Sequence, residues 1–166
     1  MRRPGPSPTL AEARRQAEAA RAAGGRLVLA NGAFDLLHVG HLRYLAAARA
    51  LGDWLLVAVN ADASVSRAKG VRRPVVPLAE RLELVAALRV VDAVVAFDED
   101  SPTAVIEAIR PDVQAKGTDY TEASVPEGDL VRRLGGRVAI VGDAKAHSTT
   151  DLVHRLQHDF SRGAEP

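Results

Sequence analysis

Asn31 to His41 reads Asn-Gly-Ala-Phe-Asp-Leu-Leu-His-Val-Gly-His, and the residues in it best suited to chemistry are His38 and His41, three positions apart around Gly40. That spacing puts both imidazoles on one side of the chain as a loop turns into a helix. There they can donate hydrogen bonds to charge building on a phosphoryl group, each well-placed donor being worth about 3–4 kcal/mol in the transition state. The backbone N–H groups of Gly32, Ala33 and Phe34, with those of the helix N-terminus, can converge on the same anion. Gly32 lets the phosphate approach closely, and no covalent intermediate is needed. For two arbitrary histidines, filling a loop and facing solvent is the commoner fate. Here no G-x-x-x-x-G-K-[ST] occurs and no G-x-G-x-x-G follows the first strand, so the familiar phosphate-binding fingerprints do not compete for the role.

The elements that must position this segment follow from periodicity. After Pro- and Gly-rich residues 1 to 8, Thr9-Leu-Ala-Glu12 has capping-box form ahead of an Ala- and Arg-rich helix ending at Gly24-Gly25. Residues 1–25 read as an N-terminal helical appendage to which no chemistry is assigned, its Arg14, Arg15 and Arg21 being expected as solvated charges. Leu27 to Ala30 reads as a buried strand and Gly40 to Leu51 as a helix. Trp54 to Val59 is the next strand, followed by a polar loop with Arg67, Lys69, Arg72 and Arg73. Pro77 suits a first helical turn, with Leu78, Leu82, Val85 and Leu88 at helical spacing. Asp92 to Phe97 is the third strand, Ser101-Pro102 opens another helix, and Asp112 to Lys116 is the fourth strand. A short helix around Leu130 to Leu134, a fifth strand from Arg137 to Val141 and a last amphipathic helix from Ser148 to about Gln157 complete a domain spanning 26–160, with 161–166 as a tail.

Five apolar strands alternating with helices require right-handed crossovers and a parallel sheet covered on both faces. The expected fold is therefore α/β, a doubly wound five-stranded Rossmann-like sheet of order 3-2-1-4-5. In that order the crevice beyond the C-terminal ends of strands 1 and 4 is where such sheets bind ligands. The segments expected to carry function are thus Asn31 onward, Lys116 onward and Gly142 onward.

Composition bounds the rest. The 166 residues carry 22 Lys+Arg against 21 Asp+Glu, a formal charge of +1, so no overall field marks a nucleic-acid or membrane-surface binder. With no cysteine there is no disulfide framework, thiolate zinc site or cysteine nucleophile. No signal-peptide core and no apolar window of about 18 residues occur, and the chain is expected to be cytoplasmic.

In the second loop, Lys116-Gly117-Thr-Asp119-Tyr120, a carboxylate near a glycine at the switch crevice can accept ribose or base hydrogens, or can make an ordinary turn. In the third, Ser148, Thr149 and Thr150 cap a helix whose N-terminus, aimed at the crevice, also offers donors to phosphate or base. Arg81, on a helix starting near the crevice, is expected either to reach phosphate or to form a surface ion pair with Glu80 or Asp62. His147 reads equally as a nucleotide contact and a solvent-facing residue. His154 and His158 are four apart but lack a third ligand, so no protein-held metal is expected.

Gly32-Ala-Phe-Asp35-Leu-Leu-His38-Val-Gly-His41 resembles the GxFDxxHxGH signature of the cytidylyltransferase-like nucleotidyltransferases. The likeness continues through Leu51-Gly-Asp, Val57 to Asp62, Arg73-Pro74, the helix of Arg81, Lys116 to Tyr120 and Ser148 to Thr150, covering roughly residues 26 to 157. Within that group the chain looks most like the bacterial heptose-1-phosphate adenylyltransferases, which also occur as the C-terminal half of a bifunctional kinase/adenylyltransferase. The resemblance implies that His38 and His41 bind the triphosphate and that Lys69 is the lysine reaching the reacting phosphates. A lysine among three loop arginines is equally a solvated charge. It further implies nucleotide contacts from Asn31, Gly32, Ala33, Phe34, Asp35, Gly40, Arg81, Lys116, Gly117, Asp119, Ser148, Thr149 and Thr150. ATP as substrate, Mg²⁺ bridging its phosphates, a homodimer and a separate sugar kinase supplying the acceptor are the remaining expectations.

Two departures bear on substrate. Cytidylyltransferases of the glycerol-3-phosphate type carry arginine where this chain has Asp143, which argues against CTP. Ala146-His147 stands where heptose adenylyltransferases usually have a glycine and a small residue. The competing readings are CTP with glycerol 3-phosphate, ATP with flavin mononucleotide, and a nucleotide-binding domain without turnover.

Overall fold

A computed structural model describes residues 9–143 and 152–153. Parallel strands buried on both faces read as continuous apolar runs, and those runs become β1 (Leu27–Gly32), β2 (Trp54–Asn60), β3 (Ala93–Phe97), β4 (Val113–Lys116) and β5 (Arg137–Ile140). They form one parallel sheet in the order β3-β2-β1-β4-β5, with Leu29 registered against Leu56 on one side and Gln114 on the other. The expected architecture and strand order are those observed.

Alternation along β1 and β2 sorts the core into two layers. Leu27, Leu29, Leu56 and Ala58 pack with Val105, Ile106 and Ile109 of α5 (Thr103–Ile109) and Val131 of α6 (Gly128–Arg133). Val28, Ala30, Leu55 and Val57 face the other way, onto Leu45 and Ala48 of α2 (Val39–Arg49) and Val85 of α4 (Leu78–Ala86).

The helix that the sequence sets apart, α1 (Leu10–Ala22), begins at the expected Thr9/Glu12 capping box and contributes to the first layer through buried Ala13 and Ala17. Its small side chains allow close approach to α5. There Arg21 donates to the carbonyls of Ile109 and Arg110 at 3.1 and 2.6 Å, satisfying acceptors that the end of α5 leaves open. Arg14 pairs with Glu18 on the exposed face.

Three local expectations are corrected. The polar loop after β2 is largely a helix, α3 (Asp62–Lys69), so Lys69 ends a helix instead of sitting mid-loop. Only Ser64 and Val65 of α3 are buried, which is why no apolar stripe announced it. Pro77 and Pro102 stand one residue earlier than expected, as the residues preceding α4 and α5. A 3-10 turn at Glu122–Ser124 precedes α6. The segment expected as the final helix, with His147, Ser148, Thr149, Thr150, His154 and His158, lies outside the described residues apart from Leu152 and Val153. No helix among the described residues is long and apolar enough to cross a membrane.

Candidate active site

A cleft of about 530 Å³ opens beyond the C-terminal ends of β1 and β4, at the switch point of the winding. Its walls bring together the first and second predicted loops: Asn31 to Asp35, His38, Gly40 and His41 on one side, Lys116, Gly117 and Asp119 on the other. Lys69 reaches the same cleft from the C-terminal end of α3.

The histidines are held by the start of α2. His38 is its N-cap, and Nδ1 accepts the Gly40 N–H at 3.1 Å. His41 reaches back so that its Nδ1 takes the His38 N–H at 3.4 Å. The arrangement is a capping box built from imidazoles. The two rings stack at 3.9 Å between centroids. Because each Nδ1 accepts, each neutral ring carries its proton on Nε2.

Burial, with the nearby His38 and Lys69, pushes the His41 imidazole down to about 4 from its ordinary 6.5, so at neutral pH it donates as an uncharged group. A base whose folded value is lowered binds fewer protons folded than unfolded between those limits, so stability falls as pH drops from about 6.5 to about 4. Urea unfolding at pH 7 and pH 4.5 checks this. The unsubstituted chain is expected to lose on the order of 2 kcal/mol more than His41→Gln over that interval, and equal losses would remove His41 as the cause.

The loop before α2 is wound tightly. Phe34 and Leu36 both adopt positive φ, 50° and 47°, a conformation side chains disfavour. Phe34 is 3% exposed and packs on His41 and Tyr44 at 5.3 and 6.4 Å between ring centroids. Asp35, also buried, accepts from Arg73 Nη1 and from the Val75 and Val76 N–H groups, all at 3.0 Å, fastening the 73–76 loop beside the site. Burial works to raise its carboxyl, and these donors outweigh it, leaving the group below the usual carboxylate range. Asp35 thus shapes the site from beneath.

Arg81 forms the expected pair with Asp62, at 2.6 Å to Oδ1, but not at the surface: it is 0% exposed, does not line the cleft, and also donates to the carbonyls of Ala33, Asn60 and Val76. The guanidinium therefore joins the β1–α2 loop, the end of β2 and the start of α4.

Lys116, at the end of β4, is buried with its Nζ 3.2 Å from Glu127 Oε2 and 5.2 Å from the centre of the Tyr120 ring. Burial pulls its ammonium below the ordinary lysine value although Glu127 opposes this. Asp143 lies at the rim, paired with Arg43 at 2.8 Å and accepting from Thr118 through its carbonyl.

The sequence reading passed over Tyr44, Asn60, Ser64, Asp100 and Glu127, all of which line the cleft. Tyr44 was within reach of pattern alone: it follows His41 by three on α2, and its hydroxyl donates to the Ala115 carbonyl at 2.8 Å. Glu127 had no such signal, since only the path of the β4–α6 loop carries it to Lys116.

Comparison with known proteins agrees with this geometry. The cytidylyltransferase-like family model matches residues 29–156. The chain is 50% identical over 146 residues to "Bifunctional protein HldE" of Magnetococcus marinus and 51% identical over 144 residues to that of Halorhodospira halophila. These stretches cover 88% and 87% of this chain, which spans 30% of the length of either relative. The crystal structure of the lipopolysaccharide core biosynthesis protein from Thermoplasma volcanium is similar at 34% identity with a TM-score of 0.62, covering 75% of this chain and 100% of that one. With the family model covering most of its length, the chain belongs to the cytidylyltransferase-like family of nucleotidyltransferases.

Proposed function

We propose that the chain is an adenylyltransferase that moves AMP from ATP to a sugar 1-phosphate, heptose 1-phosphate in particular. A phosphate oxygen of the sugar attacks the α-phosphorus of ATP in line, the bond from that phosphorus to the bridging oxygen breaks, and pyrophosphate leaves with ADP-sugar as product. The observation that carries this reading is the stacked histidine pair, held through Nδ1 at the start of α2 and lining the same cleft as Lys69. Positioning and charge neutralisation are what such a transfer needs from a protein. Gly32 to Phe34 and Gly40 belong to the triphosphate side of this reading, with Lys116, Gly117 and Asp119 opposite them.

A magnesium ion carried on the triphosphate would neutralise charge on the reacting oxygens. Among the described residues no three His, Asp or Glu side chains converge to hold a metal, and Asp35, Glu127 and Asp143 are engaged by Arg73, Lys116 and Arg43. In this proposal the ion is coordinated mainly by phosphate.

Similarity to proteins named for HldE and for lipopolysaccharide core biosynthesis supports a sugar phosphate over a flavin, and Asp143 supports ATP over CTP. The enzyme acts in the cytoplasm as a homodimer, receiving its acceptor from a sugar kinase. The deciding experiment follows pyrophosphate release from ATP or CTP with heptose 1-phosphate, glycerol 3-phosphate and flavin mononucleotide. Release is expected with ATP and heptose 1-phosphate. Release with CTP alone would overturn the base, and ATP binding without release from any acceptor would overturn catalysis.

A further inference from the structure

Helix α3 forms one wall of the cleft, which Ser64, Val65, Ala68 and Lys69 line from a single helical face. Little apolar packing decides how this helix lies. Val65, its one buried apolar side chain, belongs to neither layer of the core, and the N-cap Ala61 makes no side-chain hydrogen bond to the first turn.

Polar tethers along its two flanks hold it instead. Ser64 takes a hydrogen bond from Asn60 at 3.0 Å and donates to the Glu99 carbonyl at 3.3 Å, which pins the first turn to the β3–α5 loop. One turn later Arg67 reaches the same loop. Its guanidinium donates to the Asp98 carbonyl and, through Nε, to Asp100 Oδ1 at 3.0 Å, with the Asp98 carboxylate 3.7 Å away. On the other flank Ser66 donates to the Arg73 carbonyl. The helix stops at Gly70, where φ is 94°, so the last turn is slung between these two flanks.

Ion pairs as exposed as those of Arg67 add little to folding stability. A rigid planar fork joined to a carbonyl and two carboxylates of one loop fixes direction instead. Arg67 itself does not line the cleft; Lys69, two positions on, does, and its ammonium is near enough to His41 to help keep that imidazole uncharged.

We infer that Arg67 is a positioning residue: by fastening the last turn of α3 to the β3–α5 loop, it sets where the Lys69 ammonium stands over the cleft. The inference rests on the adenylyltransferase reading, in which Lys69 reaches the reacting phosphates, and deepens it. With the turn already fastened, a triphosphate meets the ammonium in place and does not have to order the helix that carries it.

The test is a double-mutant cycle on pyrophosphate release, using Arg67→Gln, Lys69→Ala and the two combined. Arg67→Gln is expected to lower kcat/KM for ATP about tenfold when Lys69 is present, and by less than about twofold once Lys69 is alanine. Lys69→Ala alone should cost at least as much as Arg67→Gln. Arg67→Lys, whose ammonium cannot span the carbonyl and both carboxylates, should recover only part of the loss. The urea midpoint of Arg67→Gln should match that of the unsubstituted chain. An equal loss in both backgrounds, whether or not the midpoint falls, or no loss in either, overturns the inference. Unchanged turnover in Lys69→Ala also overturns it while leaving the adenylyltransferase reading in place. Should no acceptor release pyrophosphate, that reading fails, and calorimetric titration of ATP into the unsubstituted chain and the three variants of the cycle decides this inference separately. A loss of affinity in Arg67→Gln that vanishes when Lys69 is alanine upholds it, and equal losses, none, or no binding at all overturns it.

Discussion

Replacing His38 or His41 by alanine is expected to lower kcat at least about 100-fold, since in the proposed transfer each ring supplies one donor to charge that develops only during the reaction. Loss of such a donor acts on the transition state more than on bound ATP, so the KM for ATP should change by far less than kcat. The two variants are not equivalent structurally. His38→Ala also removes the cap of α2, at a stability cost of about 1 kcal/mol, whereas His41→Ala empties space beside Phe34. Turnover is therefore to be compared at a temperature where both unfold less than a few per cent by circular dichroism. His38→Asn, which restores a capping side chain without an imidazole, should recover stability and leave kcat low. Turnover within threefold of the unsubstituted chain in both alanine variants would take the pair out of the mechanism.

The second large effect is on folding. Arg81→Met is expected to destabilise the chain by about 3 kcal/mol or more, because the carbonyls of Ala33, Asn60 and Val76 lose their donor inside the protein. The Asp62 contact adds little, being half exposed to solvent. Arg81→Lys should recover only part of the loss, since one ammonium cannot span acceptors drawn from three segments. Urea midpoints for the three proteins measure this, and a loss under about 1 kcal/mol in Arg81→Met would show that the carbonyls find other donors. Activity should fall with stability, as Arg81 holds the β1–α2 loop on which the histidines depend.

Arg81 also marks the limit of what could be read without coordinates. Strands β1 to β5 were legible because strands buried on both faces read as mainly apolar runs, and their order is the common one for a doubly wound sheet. The histidine pair was legible because both residues lie in one short segment with fixed spacing. Neither argument reaches Arg81, whose four acceptors come from positions 33, 60, 62 and 76. A charged residue on a helix is ordinarily a surface residue, and only the convergence of distant carbonyls makes burial tolerable. Helix α3 escaped for a different reason. With Asp, Ser, Arg and Lys at most of its positions and two buried residues, it carries almost no periodic signal. Glu127 escaped because its partner Lys116 is eleven residues away across a loop without regular pattern. What stayed hidden was consistently the polar residue whose environment is assembled from elsewhere.

The positive φ angles at Phe34 and Leu36 have a consequence for affinity. Neither position is glycine, the residue that would sit there at no steric cost. A glycine at either would also loosen the chain and remove contacts such as that of Phe34 with His41. Keeping side chains there trades some folding free energy for a loop whose shape is fixed by its own packing. A ligand entering the cleft then has little backbone to immobilise, so more of its contact energy is expressed as binding and less is lost in ordering the protein.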